Sequence, residues 1–190
     1  MTKKQIMLKL VKHYHAGQTR EGGTVLYWKH CVRVSNSLAS ALRKTREGTR
    51  AQKTIIALTG LGHDLYEDTK IERTTIIQEF GREVDELIES VSNRGGDGLA
   101  SVKKYAKRMA KSSEKARLVK LADLEDNFAS GAKALKDNGE QWTRQFLWPI
   151  LETQWQILRA SKYQDFPKTA KLLTVAVTGA RNQLVLALGK

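Results

Sequence analysis

The chain has 190 residues, a length for one domain, and 41% of them are hydrophobic, enough to bury a core. A formal net charge of +13 favours an anionic partner, whether nucleic acid, a highly phosphorylated small molecule or an anionic surface, without choosing among them. The single cysteine, Cys31, excludes an internal disulfide and a cysteine zinc site, and reads as a buried, inert thiol beside His30. No apolar run approaches the roughly 18 residues of a membrane span. The charged start "MTKKQIMLKLVKHYH" has no signal-peptide core, so a cytoplasmic protein with no membrane partner is expected.

Only two prolines occur, Pro149 and Pro167, and long amphipathic stretches separate the breaks, which predicts an all-α fold. "KQIMLKLVKHYH" spaces Ile6, Leu10 and Tyr14 by helical turns and is the first helix. "AGQTREGGTVL" reads as a loop, and "YWKHCVRVSNSLASALRK" as a second helix. The third helix, "RAQKTIIALTGLGHDLYED", is more apolar than its neighbours and should be central. "TTIIQEFGREVDELIESVS" gives two helices broken at Gly81. "NRGGDGLAS" is the most loop-like stretch. A short basic helix "SVKKYAKRMAKSS" follows, then "EKARLVKLADLEDNFASGAKALKD", apolar at first and polar later. "EQWTRQFLWPILETQWQILRAS" and "PKTAKLLTVAVTGARNQLVLALG" close the chain, with Pro167 at a helix start. Trp142, Trp148 and Trp155 should pack against the domain, and whether they also make an oligomer contact is left open.

One short stretch concentrates ionisable groups. In "HDLYED", His63 and Asp64 follow an apolar run, and on a helix Asp64, Glu67 and Asp68 share a face. Burying three unpaired carboxylates would be very costly, and a divalent cation would compensate. A solvated acidic helix end is the alternative. The same logic returns in "RLVKLADLEDNF", where Leu118, Val119, Leu121 and Ala122 deliver Asp123. Upstream, "YWKH" puts His30 near the start of an apolar helix. His30, His63, Asp64 and Asp123 would make a mixed nitrogen and oxygen set suited to manganese, iron or zinc.

A separated His, a contiguous His-Asp and a later Asp resemble the pattern of the HD-domain phosphohydrolases. The finer resemblance is to the hydrolase domain of RelA/SpoT proteins and the single-domain small alarmone hydrolases. "HAGQTREGGT", "YWKH", "GHDLYEDT", "IIQEFGREVDELIESVS" and "LVKLADLEDN" are similar to motifs of that family in the same order, over roughly residues 5 to 135. Gaps of 33 residues from His30 to His63 and 59 from Asp64 to Asp123 accompany them.

The resemblance implies residues 1–190 as a single HD-type helical bundle, its core about 5–135, with C-terminal helices about 140–188 packed on it. It implies one manganese ion held by His30, His63, Asp64 and Asp123, and an attacking water handled by Glu67 and Asp68. It implies substrate contacts from Arg20, against the nucleotide base, and from Asn127 and Ser130. The implied reaction removes pyrophosphate from the ribose 3′ position of guanosine tetra- or pentaphosphate (ppGpp, pppGpp), leaving GDP or GTP. The basic charge suits that substrate, and Lys103, Lys107 and Lys111 form a stripe that could meet phosphates or simply face solvent. Glu21 after Arg20, "VLY" before the histidine helix, and Asp126 beside Asn127 depart from the family pattern; they touch the base and phosphate pocket and leave the nucleotide open. An adenosine alarmone, NADPH or a nucleoside monophosphate are alternatives. A basic nucleic-acid-binding helical module is the non-enzymatic rival, which the intact ligand set disfavours. Monomer and homo-oligomer are both compatible with the sequence.

Overall fold

A computed structural model describes residues 1–20, 23, 25–96 and 98–189; for 134 and 136–138 it describes the helix backbone alone. Glu21 therefore lies outside the described residues. Helix α1 (Lys3–Tyr14) begins at a capping box in which Thr2 and Gln5 satisfy each other's backbone N–H groups, and α3 (Arg50–Gly62) begins the same way with Thr49 and Gln52. Helix α2 (Trp28–Thr45) lies between them in sequence, and Arg46 ends it in the left-handed conformation. The stretch expected to be a loop before α2 contains a small antiparallel ladder, β1 (Thr19–Arg20) with β2 (Val25–Leu26), Arg20 standing opposite Val25.

Helix α3 is central because it can be approached closely. A side chain on Gly60 would run into Leu38 of α2, and one on Gly62 would meet the Met7 sulfur of α1 at 2.9 Å. The expected single helix through "HDLYED" is instead broken. Helix α3 stops at Gly62, His63 and Asp64 form the bend, and α4 (Leu65–Asp68) is one turn long. The bend has a local cause: His63 turns its Nδ1 onto the Gly60 carbonyl at 2.9 Å. The helical spacing survives, since Glu67 and Asp68 both donate their N–H to the Asp64 carbonyl, so the three carboxylates still share one turn.

Helices α5 (Arg73–Phe80) and α6 (Arg82–Val91) meet at Gly81, whose φ of 93° only glycine adopts readily. Helix α7 (Leu99–Ala110) carries the basic stripe, and α8 (Glu114–Asn138) is the long helix that delivers Asp123. The next amphipathic stretch is not one regular helix. A short α9 (Glu140–Trp142) runs into a π-helical turn (Thr143–Leu147) and then α10 (Trp148–Leu158). Pro149, at the start of α10, has no N–H to give a carbonyl four residues back, and Trp148 donates five residues back to Thr143 instead. Helix α11 (Pro167–Ala187) returns along α8.

Two apolar clusters hold the bundle. One joins α1 to α3–α6 through Met7, Val11, Leu61, Leu65, Ile76 and Ile88. The other joins α2 and α8 to the C-terminal helices through Leu38, Leu118, Phe128, Trp155, Val177 and Leu184. Ile55 packs against both. Among the described residues, no helix is long and apolar enough to cross a membrane.

Candidate metal centre and substrate cleft

Three helices bring the four expected ligands to one point. His30 comes from the first turn of α2, His63 and Asp64 from the bend after α3, and Asp123 from α8; all four are buried. The His30 and His63 Nε2 atoms lie 3.1 Å apart. Asp64 Oδ2 is 3.3 Å from the first and Oδ1 3.1 Å from the second, while Asp123 Oδ1 is 3.2 and 3.5 Å from them.

The other atom of each imidazole is already committed. His63 Nδ1 donates to the Gly60 carbonyl, and His30 Nδ1 to Asp126 Oδ2 at 2.7 Å. Those bonds fix the tautomers with both Nε2 lone pairs turned inward. Lone pairs from two nitrogens and two carboxylates then converge; Tyr27 donates to Asp64 Oδ2 and Asn127 to Asp123 Oδ1 from the sides, and a cation would satisfy the acceptors that remain. His30, His63 and Asp64 by themselves satisfy the spacing of a metal cluster, and the donor set suits a borderline divalent ion. Without a cation, protons serve instead: burial pushes His63 down, but Asp64 and Asp123 outweigh it and hold the imidazole well above its ordinary value. Burial pushes Asp123 up, and Lys120 with the two imidazoles outweighs it, holding the carboxyl well below the usual range.

The surrounding groups aim these ligands. Lys120 Nζ donates to Asp123 Oδ2 at 2.7 Å and Asn127 Nδ2 to Asp123 Oδ1 at 2.7 Å. Asp126 does not line the cleft beside Asn127, where its place in the sequence had suggested it. It sits behind His30, gripped by Arg33 through Nε at 2.5 Å and Nη2 at 2.9 Å. Ser130 is buried one turn further on, 3.3 Å from Arg33 Nη2 and 3.4 Å from Asp126, and does not line the cleft.

Glu67 and Asp68 stand at the edge of this centre on α4. Glu67 is open on one side, yet the protein packed around it and the Asp64 charge push its carboxyl up to about 7. The Asn93 backbone N–H holds its Oε2 at 2.7 Å. Asp68 is raised by burial and by Asp64. Tyr27 stands between Asp68 Oδ2, at 2.6 Å, and Asp64 Oδ2, at 2.9 Å, with one hydroxyl proton for two carboxylates. The loop motif before α2 supports this corner. His15 is buried and stacks on Tyr27 with ring centroids 4.7 Å apart, bonds Gln18 through Nδ1, and Gln18 Nε2 holds the Asp68 carbonyl at 3.0 Å.

A cleft of about 390 Å³ opens over the centre. Arg20, Tyr27, Glu67, Lys120 and Asn127 line it, and Arg20 donates through Nη2 to Asn127 Oδ1 while its guanidinium lies 5.3 Å from the Tyr27 ring centre. Lys103, Lys107 and Lys111 are exposed and none lines the cleft. Trp155 is buried as expected, but Trp142 is 44% exposed and belongs to the cleft wall. Cys31 is buried, its thiol pushed well above its ordinary value by burial and then by Asp64, consistent with an inert packing role.

No protein-family model matches the chain, and no curated protein matches it. Among solved structures, a metazoan ortholog of SpoT, described as hydrolyzing ppGpp and playing a role in starvation responses, superposes with a TM-score of 0.71 over 96% of each chain at 19% identity. This chain has the fold of that SpoT ortholog.

Within the SpoT-type fold, the four residues expected to hold a metal lie together, but sequence reasoning missed four other groups that the geometry brings to the same place. Tyr27 and Lys120 were inside the quoted motifs "YWKH" and "LVKLAD", and a polar residue three positions before a candidate ligand was the available signal. Asp126 was noticed and assigned to the wrong neighbour. Gln18 was quoted within the loop motif, yet nothing in the sequence tied it to the Asp68 carbonyl.

Proposed function

We propose that the chain is a metal-dependent hydrolase that removes the 3′-pyrophosphate from ppGpp and pppGpp in the cytoplasm, giving GDP or GTP and pyrophosphate. The observation that carries this reading is the convergence of His30, His63, Asp64 and Asp123 beside Glu67, in a cleft on the fold shared with a ppGpp-hydrolyzing protein. His30, His63, Asp64 and Asp123 would hold one manganese ion, which when bound polarises a phosphoryl oxygen and lowers the pKa of a water.

The chain's own groups do the rest. Asn93 occupies Glu67 Oε2, which leaves Oε1 to take a proton from the water. Burial and the Asp64 charge raise that carboxyl, which makes it a stronger base for the task. Asp68, held by the Tyr27 hydroxyl, orients the same water. The water oxygen bonds to the phosphorus attached at the ribose 3′ oxygen, the bond from that phosphorus to the ribose oxygen breaks, and the ribose oxygen leaves and takes up the proton that Glu67 drew from the water. Lys120 keeps Asp123 turned so that Oδ1 faces the two imidazoles. Arg20 and Asn127, tied together at the cleft, are the substrate-binding residues of this reading, and Ser130, which does not line the cleft, supports Asp126 and Arg33 instead.

The test is a product analysis. Manganese-loaded protein is incubated with ppGpp, pppGpp, their adenosine counterparts, NADPH and nucleoside monophosphates. Pyrophosphate with GDP or GTP is the expected result. Release of inorganic phosphate alone, or turnover of a monophosphate in preference, overturns the reading.

A further inference from the structure

Helix α11 has two faces. Leu173, Val177, Ala180 and Leu184 recur at helical spacing and are buried on the side that packs along α8. The outward face carries Leu172, Val175 and Leu186, which are 38%, 64% and 77% exposed. The outward faces of α1 and α7 are charged, with Lys3, Lys9 and Lys12 on one and the lysine stripe on the other. From Leu172 to Gly189 the only charged residue is Arg181, and Glu152 of α10 holds it through Nε at 2.6 Å and Nη2 at 2.9 Å. A contiguous uncharged face of this kind marks an interaction surface.

Gly179 lies within that face, and the packing of the chain gives no reason for it. A side chain there would meet nothing within 4 Å, unlike one at Gly60 or Gly62, and glycine weakens a helix interior. Close approach by a backbone from outside is the use that remains for it. The arrangement about Gly179 points to the partner. Leu172 and Leu186 stand seven residues to either side of it, two helical turns each way. A second α11 running antiparallel and crossing at Gly179 therefore sets Leu172 of each copy against Leu186 of the other. The same register carries Lys168 and Lys171 of one copy to the carbonyl end of the other helix, the end that favours cations. A net charge of +13 opposes association through the basic faces, whereas this face has no free charge between Leu172 and Leu186.

We propose that two copies of the chain associate through α11, antiparallel about a two-fold axis at Gly179, with Leu172, Val175 and Leu186 filling the contact. Such an interface presents the same patch on both copies and closes at two. It runs roughly 21 Å along each helix, which is short, so the dimer forms reversibly and only as concentration rises. None of these residues lines the cleft, so the dimer stands or falls independently of the hydrolase reading.

Sedimentation equilibrium of the manganese-loaded full chain, from low to several hundred micromolar, should show monomer passing to dimer and nothing larger. Added salt should tighten the dimer, because it screens the repulsion between two basic chains and leaves the apolar contact in place. Val175→Lys and Leu186→Lys alter exposed positions, so the chain should fold while the dimer weakens by about ten-fold or more. Gly179→Leu should abolish the dimer, yet at concentrations where the chain is monomeric its melting temperature should hold or rise, since leucine is the better helix former and meets nothing inside the chain. Leu172→Cys and Leu186→Cys chains, mixed and treated with a short bis-maleimide, should join to each other in preference to themselves; Cys31 is buried and does not compete. A chain that stays monomeric throughout overturns the proposal, whether or not it binds neutral phosphatidylcholine vesicles instead. So does a dimer that survives Gly179→Leu and Leu186→Lys, or one that salt dissociates. Preferential joining of like chains overturns the antiparallel register.

Discussion

Asp126 accepts the Nδ1 proton of His30 at 2.7 Å while Arg33 grips both of its oxygens from the other side. The carboxylate thus fixes which imidazole nitrogen faces the ligand cluster and makes it more basic, as carboxylate partners of metal-binding histidines do. Removing it in Asp126→Ala should weaken manganese binding by about 10- to 100-fold with the four ligands intact. Isothermal titration with manganese measures this directly. Wild-type affinity in the variant would mean that His30 is oriented by its packing alone.

Asp64 touches both imidazoles, so its loss should be felt as loss of the metal itself. A ligand bound only by the native chain stabilises it, by about 2.7 kcal/mol at one hundred times its dissociation constant. Wild type should melt higher with manganese and lower after a chelator, and Asp64→Ala should respond to neither. Full metal occupancy in that variant, read by elemental analysis, would remove Asp64 from the ligand set.

Glu67 and Asp68 should separate chemistry from metal holding. Glu67→Gln and Asp68→Asn keep shape and remove charge, so manganese should remain bound while turnover falls by about 10²–10⁴-fold. A base must be deprotonated to act. With its carboxyl pushed up to about 7, Glu67 is progressively protonated as pH falls through and below neutrality, and turnover should fall with it. A cation beside it moves that limb to lower pH. In Glu67→Gln the acid limb should vanish. Near-normal turnover in both variants would make the pair a solvated acidic turn.

Asp85 anchors the turn that carries those carboxylates. It is buried on α6 and accepts from Tyr66 of α4 at 2.7 Å and from Arg73 of α5 at 2.9 and 2.6 Å. Asp85→Asn should cost about 1–3 kcal/mol in urea unfolding, because partners are left poorly satisfied. Arg73, then Tyr66, hold the Asp85 carboxyl below the usual range against the effect of burial. Its stabilisation is therefore complete above about pH 4 and lost as pH falls further, so the gap between wild type and variant should close in acid. A gap independent of pH would assign the cost to packing.

Much of the candidate site was legible because the residues expected to hold a metal sit in short, ordered motifs whose apolar flanks already declare burial. His63-Asp64 after "TIIALTGLG" and Asp123 after "RLVKLA" needed only a helical period to be placed. What was not legible depends on where helices cross. Asp126 and Asn127 are neighbours in sequence, yet α8 turns one toward α2 and the other toward the cleft, and no local pattern says which. The break after Gly62 was hidden because the helical spacing of the carboxylates survives it. The cleft's apolar wall was hidden by Pro149, whose missing N–H turns a regular amphipathic stretch into one with a π-helical turn that leaves Trp142 uncovered.

The chain has one cysteine and hence no covalent cross-link of its own, yet the four proposed ligands come from α2, the bend after α3, and α8. A single ion held there would close a ring of backbone from position 30 to position 123, a span over which chain closure carries a large entropic cost in the unfolded state. The cation would then work as a removable staple, formed last during folding and opened first by a chelator. In that arrangement metal supply governs not only catalysis but also how long each molecule survives before it unfolds.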